Sequence, residues 1–358
     1  MKKIVSLVLV LTMSLFAFSG CAKGEEQSEE QSNNQNPVLE EPKTEESSAG
    51  DTVKTGLAVI TSVEKSKDAT ADAEGFGQSD SVAVAVTVDK DGKVVKAAID
   101  TAQTKINFST EGKVTSDLTA VYKSKQELKE EYGIKGASTL NKDWYEQANS
   151  LADYFAGKTV DEIKAIPTDD AGVPTDADLV SSVTIKINDY KEAVEKAIAN
   201  AQDMGATADD KLGLGINTTI DKSKDAAADA EGQTQAYSIY TAATFDADGK
   251  ITSNVIDASQ ATVKFDAAGK ISTDLTAPVK TKVELGDEYG MRGASKIGKE
   301  WFEQAASFSE YVLGKTSEEV AAIAVDGGKA TDADLVSSVT VGIDEFQLVI
   351  EKAAATAK

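Results

Sequence analysis

Histidine is absent from the 358 residues, and cysteine occurs once, at Cys21. Without imidazole the chain lacks the commonest general base, transition-metal ligand and haem ligand. A lone thiol excludes a disulfide within the chain, a thiolate metal site and an iron–sulfur cluster. Positive charge is also scarce: 37 Lys and Arg stand against 60 Asp and Glu, a net charge of −23. That balance argues against nucleic acid, whose phosphates demand clustered basic side chains. It argues equally against adsorption to an anionic membrane by charge alone. Any redox chemistry therefore has to come from a cofactor held by oxygen and nitrogen groups.

Apolar residues make up 41% and charged residues 27%, the profile of a soluble globular protein. The length suits two domains, each large enough to bury a core without staples. The chain opens Met1-Lys2-Lys3, continues as an apolar run from Ile4 to Phe18, and reaches Ser19-Gly20-Cys21. A positive stretch, an apolar stretch and small residues at the cut read as a secretory signal over residues 1–20. The run is short for a bilayer span, and no later segment is long and apolar enough to be one. Small residues directly before the cysteine resemble a bacterial lipobox, with Phe18 where Leu, Val or Ile is usual. The resemblance implies that Cys21 is lipidated and becomes the new N-terminus, and two or more acyl chains anchor stably. The bland alternative is a plain signal peptide with an incidental cysteine. Residues up to about Thr52 are rich in Glu, Gln, Ser and Asn, so 21–52 reads as the lipidated cysteine followed by a disordered acidic tether.

The strongest internal signal is a repeat. Gly56-Leu-Ala-Val-Ile-Thr-Ser-Val-Glu-Lys-Ser-Lys-Asp returns, 157 residues later, as Gly213-Leu-Gly-Ile-Asn-Thr-Thr-Ile-Asp-Lys-Ser-Lys-Asp. The same offset relates Asp100 to Asp257, Tyr132 to Tyr289 and Trp144 to Trp301; it becomes 156 for Thr184 and Thr340. A unit this long is a duplicated domain, not a solenoid repeat. The expected division is repeat 1 at 53–202, a linker at 203–212 and repeat 2 at 213–358. Val82, Val84, Val86 and Val88 alternate as in a strand with one buried face. Asp89-Lys90-Asp91-Gly92 and Asp246-Ala247-Asp248-Gly249 read as hairpin turns, because their glycine and later ligands miss calcium-loop spacing. A second hairpin is expected with Glu111-Gly112 and Ala268-Gly269 at its tip. The second half of each copy reads as helical. Ser124 with Glu127, Thr281 with Glu284, Thr159 with Glu162 and Thr316 with Glu319 form capping boxes. Trp144, Ala148, Leu151 and Phe155 share a helix face, as do Trp301, Ala305, Phe308 and Val312, and are read first as packing residues. Gly157-Lys158-Thr159 lacks the upstream glycine of a phosphate-binding loop. The fold class is thus α+β, with antiparallel β-hairpins followed by helices in each of two tandem copies.

Before the last helix of each copy stands one identical decapeptide, Thr175-Asp-Ala-Asp-Leu-Val-Ser-Ser-Val-Thr184 and Thr331-Asp-Ala-Asp-Leu-Val-Ser-Ser-Val-Thr340. Within it, Asp178, Ser181, Ser182 and Thr184, and likewise Asp334, Ser337, Ser338 and Thr340, match the flavinylation signature D-x-x-S/T-G/S-A/V-T. Serine and valine stand where glycine and alanine are commonest. The chain therefore resembles FMN-binding domains similar to those of sodium-pumping quinone reductase and Rnf-type subunits. Its duplication and leader resemble PplA-like lipoproteins of flavin-based extracellular electron transfer in Gram-positive bacteria.

That resemblance implies two covalent FMN groups per chain, on Thr184 and Thr340. A flavin transferase using FAD and magnesium would attach them by phosphoester bonds. It further implies a lipid-anchored location on the extracellular face of the cell membrane, a quinol-fed membrane electron donor and extracellular acceptors such as ferric iron. A threonine hydroxyl is a weak nucleophile unaided, so the acceptor is expected on a turn accessible to an external enzyme. The following helix is expected to start with Asn188 or Asp344 as N-cap and to bury Tyr190, Val194 and Ile198, or Phe346 and Ile350. Its positive end could help hold the phosphate. Lys135 and Arg292, each before Gly-Ala-Ser, are candidate flavin contacts, with a solvated charge beside a tight turn as the equal alternative. Two other functions stay open: a non-flavinylated surface lipoprotein that binds a ligand or partner, and a flavoenzyme with its own organic substrate. The latter ranks last for want of an acid–base constellation.

Overall fold

The structure, a computed structural model, describes residues 50–358. The expected signal peptide, Cys21 and nearly all of the tether lie outside the described residues. In chain order the elements are β1 (Lys54–Ser62), β2 (Gly75–Val88), β3 (Val94–Phe108), α1 (Lys125–Leu128), α2 (Trp144–Phe155), α3 (Val160–Lys164) and α4 (Asn188–Ala199). They are followed by β4 (Lys211–Thr219), β5 (Gly232–Phe245), β6 (Ile251–Phe265), α5 (Lys282–Leu285), α6 (Trp301–Tyr311) and α7 (Ser317–Ala321). The chain closes with β7 (Val325–Asp326), β8 (Lys329–Ala330), α8 (Ala333–Val336) and α9 (Asp344–Thr356). The fold is α+β. Strands β1–β2–β3 and β4–β5–β6 form two antiparallel three-stranded sheets, with β7 and β8 a minimal hairpin. Among the described residues no helix is long and apolar enough to cross a membrane.

Local chemistry explains most of these boundaries. Asp89 closes the β2–β3 turn, its Oδ1 accepting from the amides of Asp91 and Lys93 at 2.9 Å each, while Gly92 takes φ 77°. All four expected capping boxes form. The second hairpin is only partly realised. Its turns close at Ser109–Lys113 and Asp266–Lys270, but each returning arm reduces to a single bridge, Phe108 with Val114 and Phe265 with Ile271. Lys211 and Leu212, expected in the linker, already belong to β4. Leu212 is buried there, and its amide donates to the Lys358 carbonyl.

The sheets are buried on both faces, where the alternation of β2 suggests one. Val82, Val84 and Val86 pack with the helices of their own half, joined by Trp144, Leu151, Phe155 and Val194. The intervening Ala83 and Ala85, with Leu57 and Val59, pack instead against Leu212, Leu214, Ile216 and Tyr240 of the second half. The two sheets therefore lie back to back, and residues 50–358 fall within one compact unit. Contacts between the halves are reciprocal, as in a two-fold interface. Ala69 N donates to Gly269 O at 2.8 Å and Ala226 N to Gly112 O at 2.7 Å. Asp68 accepts from Ile271 N and Asp225 from Val114 N. Lys196 pairs with Glu284, and Lys352 with Glu127. Phe108 stacks on its own counterpart Phe265, with centroids 4.1 Å apart.

The last helix of each half rests directly on the first strand. A β-carbon at Gly56 would collide with the Ala197 carbonyl of α4, and one at Gly213 with the Ala353 carbonyl of α9. Both positions need glycine for close approach, not for a special dihedral. Gly56→Val or Gly213→Val should lever helix from sheet and lower stability by about 1–3 kcal/mol, or more where relaxation fails. A urea denaturation midpoint indistinguishable from the parent would refute this.

Candidate functional site

In each half the decapeptide leads from the α3 or α7 region into the final helix. Leu179 and Val183 are fully buried, as are Leu335 and Val339, and they pin the segment to the core. Between them the chain makes tight turns. Val183 N donates to Leu179 O, and Ser182 Oγ to the same carbonyl at 3.1 Å. The second copy winds one turn further, into α8, with Asp332 as its N-cap. The carboxylates of Asp178 and Asp334 are exposed, and among the described residues neither enters a hydrogen bond or ion pair. Ser181 and Ser337 are exposed as well.

Thr184 and Thr340 are half-buried and held alike. Gln147, on α2, accepts at Oε1 from the Thr184 amide at 2.8 Å and from its hydroxyl at 3.1 Å. Gln304, on α6, does the same for Thr340 at 2.8 and 3.2 Å, and also for the Val341 amide. Each glutamine is fully buried and its NH2 is committed elsewhere. Gln147 Nε2 donates to Ser138 Oγ and the Lys142 carbonyl; Gln304 Nε2 donates to Ser295 Oγ and the Lys299 carbonyl. With its donors occupied, the amide can present only its oxygen to the threonine. The hydroxyl spends its hydrogen on that oxygen and keeps its lone pairs for other partners. The serines of both Gly-Ala-Ser strings thus act on the site through glutamine. The cations before them do not reach it: Lys135 is exposed, and Arg292 pairs with Asp287 at 2.6 Å and Glu303 at 2.8 Å.

The final helix begins one residue earlier than expected. Ile187 and Ile343 occupy the N-cap positions, and Asn188 and Asp344 are the first helical residues. The reason is burial: each isoleucine is wholly enclosed, and its amide donates to Gly172 O or Gly328 O. Asn188 instead accepts from the Thr168 hydroxyl. Tyr190, Val194, Phe346 and Ile350 are buried as expected, while Ile198 is only partly so.

Thr340 lines a cleft of about 830 Å³ with Tyr237, Lys282, Tyr289, Met291, Trp301 and Glu345. Trp301 serves both as core, edge-on to Phe346, and as cleft wall. Lys282 exposes only 5% of its surface. Its Nζ lies 4.5, 4.7 and 4.8 Å from the ring centroids of Tyr237, Tyr289 and Trp301 and donates to Tyr237 Oη at 3.1 Å. Burial pulls the Lys282 ammonium down to about 8, against the attraction of Glu345 and Asp257. Burial pushes Glu345 up to about 7, and the neighbouring Asp344 adds to this. Asp257 holds the lysine's helix, accepting from the Val283 and Ala258 amides, just as Asp100 accepts from Gln126 and Thr101 in the first half.

Glutamine and lysine escaped the sequence reading. The available signal was a polar residue on an otherwise apolar helix face at the same place in both repeats, Gln147 beside Trp144 and Ala148, Gln304 beside Trp301 and Ala305. Among the described residues no cluster of acidic, histidine or cysteine side chains could hold a metal ion. No family model matches the chain, and no solved structure matches it. A chlorophenol reductase of Desulfitobacterium hafniense is 51% identical over 41 residues, which is 12% of this chain and 12% of that protein. The shared stretch is too short to carry that activity across.

Two outcomes test this geometry. Gln304→Leu strands the Thr340 amide and hydroxyl and should cost about 1–3 kcal/mol in urea unfolding, with Gln304→Glu, which keeps an acceptor, losing less. Equal losses for the two variants would count against the clamp. Burial also pushes Asp100 up to about 7 and Asp257 up to about 6, overriding their hydrogen bonds from Ser124 or Thr281 and the backbone. Unfolded, both titrate near about pH 4. Above that the folded form holds protons the unfolded form has released, so stability declines as pH rises towards 7. Asp100→Asn with Asp257→Asn should reduce that decline between pH 5 and pH 8 in denaturant titrations; an unchanged slope would contradict it.

Proposed function

We propose that the chain is a lipid-anchored extracellular flavoprotein built from two tandem FMN-binding domains, with covalent FMN on Thr184 and Thr340. It carries electrons from a quinol-fed membrane donor to extracellular acceptors such as ferric iron. The observation that carries this reading is the repeated threonine clamp. In both copies the last residue of the flavinylation signature presents a half-buried hydroxyl, oriented by a buried glutamine. In the second copy that hydroxyl opens on a cleft whose volume and aromatic walls suit a planar tricyclic ring.

The residues fit the cofactor in specific roles. Thr184 and Thr340 would hold FMN through the phosphate. The exposed Asp178, Ser181, Asp334 and Ser337 leave the signature open to a flavin transferase. Transfer from FAD forms the Oγ–phosphorus bond as the pyrophosphate breaks and AMP departs, with the hydroxyl proton passing to the transferase. Gln147 and Gln304 align the attacking oxygen but cannot take its proton, which is why an external base is required. Tyr289, Met291 and Trp301 offer apolar surface to the ring, and Lys282 offers charge. Once bound, FMN supplies reversible one- and two-electron redox chemistry that no side chain of this protein provides. Attachment through a covalent bond retains the cofactor outside the cell, where a dissociated flavin is lost by dilution. The carrier role needs no substrate-specific acid–base pair, and the protein is an electron carrier more than an enzyme with its own substrate.

Intact-mass analysis of the protein from native membranes, or after coexpression with a flavin transferase, should count two FMN additions. Thr184→Ala and Thr340→Ala should each remove one, and the double variant should be colourless. Unmodified peptides across both threonines would end this reading and leave an anchored surface protein that binds a ligand or partner.

A further inference from the structure

The two halves share their architecture and their clamp, yet the surroundings of the two threonines differ at one decisive place. Under the offset of 157 residues, Lys282 corresponds to Lys125, Tyr289 to Tyr132, Trp301 to Trp144 and Lys222 to Lys65. Tyr237, however, corresponds to Asp80. In the second half the tyrosine completes a cage of three rings around a buried ammonium and accepts its hydrogen bond. In the first half the equivalent lysine is only half-buried and meets two rings, at 4.4 and 5.3 Å. At the position of the third ring the first half has a carboxylate. Asp80 pairs with Lys65 at 2.9 Å and accepts from the side-chain amides of Gln78 and Gln103.

From this asymmetry we infer that the flavins on Thr184 and Thr340 differ in reduction potential, the one on Thr340 being the more easily reduced, with Lys282 and Asp80 as the residues that set the difference. The inference rests on the flavinylated reading above. Two-electron reduction of the ring with uptake of one proton leaves one extra negative charge on it. A cation in a cavity of low dielectric stabilises that charge far more than one in water, and a nearby carboxylate opposes it. Lys282 shares the Thr340 cleft and is shielded from solvent, so its charge is screened little. Even with its depressed titration point it is mostly protonated at neutral pH. Glu345 and Asp344 lie on the same cleft and partly offset it, while the first half carries the exposed Asp189 and Asn188 at the matching places. Against this stand tyrosine in place of aspartate, a buried in place of a half-buried lysine, and Lys296 and Lys329 where the first half has Thr139 and Val173, all of which make the Thr340 side the more positive.

The experiment uses the full chain, matured with flavin transferase and FAD, as Thr184→Ala and Thr340→Ala variants. Intact mass first establishes one FMN on each; absence of flavin would refute the covalent reading itself, independently of any difference in potential. Spectroelectrochemical titration, with dithionite as reductant, then reads each flavin alone. The flavin on Thr340 should be at least tenfold easier to reduce, about 30 mV more positive for a two-electron couple. Adding Lys282→Met should remove most of that gap, and adding Asp80→Tyr to the other variant should narrow it from below. Equal potentials in the two single-flavin proteins would overturn the inference. So would a gap that both substitutions leave unchanged in proteins still carrying FMN. The Asp80→Tyr variant leaves the buried lysine in place, so the test survives if Lys282→Met fails to fold.

Discussion

Everything in this fold depends on two small sheets closing one face of each against the other. A three-stranded sheet with helices on one side leaves a second apolar side in water. Exposing Leu57, Val59, Leu212, Leu214 and Ile216 would cost roughly 25 cal/mol for each Å² uncovered. Alanines at positions 83, 85 and 242 keep that seam thin, so the sheets approach closely. The outer faces are then free to take helices, and glycine at the first strand brings the final helix onto the sheet. The threonine of each half is held between two of these outer helices, since it precedes α4 or α9 and is clamped from α2 or α6. The clamp is a tertiary device, as rigid as the layers that carry it.

Much of this was legible in the sequence where the cause was local. Ser124 with Glu127 and Thr159 with Glu162 cap helices because the partners sit three residues apart and need nothing else. The Trp144–Phe155 stripe declares its buried face by spacing alone. The repeat itself could be read residue by residue. What could not be read was whatever depended on the other half. Ala83 and Ala85 look like a solvent face until a second sheet covers them, and the tips at Gly112 and Gly269 look like free hairpins until each docks on the opposite half. The N-cap slipped by one residue for a related reason: Asn188 has the better capping side chain, but enclosing Ile187 in the core counts for more than satisfying one amide. The two threonines could be singled out from their pattern, whereas the glutamines that hold them, Gln147 and Gln304, lie 37 and 36 residues away and could not.

The site combines two ways of handling polar groups in a core. Gln147 and Gln304 are buried without penalty because every hydrogen-bonding atom has a partner, and a fully satisfied amide is a rigid one. Lys282 is different. Its single hydrogen bond and three aromatic rings compensate only in part for lost water, as its lowered titration point records. A strongly perturbed ionisable group in a cleft is a candidate for a functional site, which is the logic behind the role proposed for Lys282.

The reciprocal contacts between the halves have a consequence for how such a protein can change. Two identical chains meeting across a symmetry axis receive every substitution twice, so their sites must remain the same. Joining both halves in one polypeptide breaks that bond between sites: Tyr237 could diverge from Asp80 while the seam that both halves need was kept. A duplicated fold of this kind is a symmetric frame in which asymmetric function can be inherited.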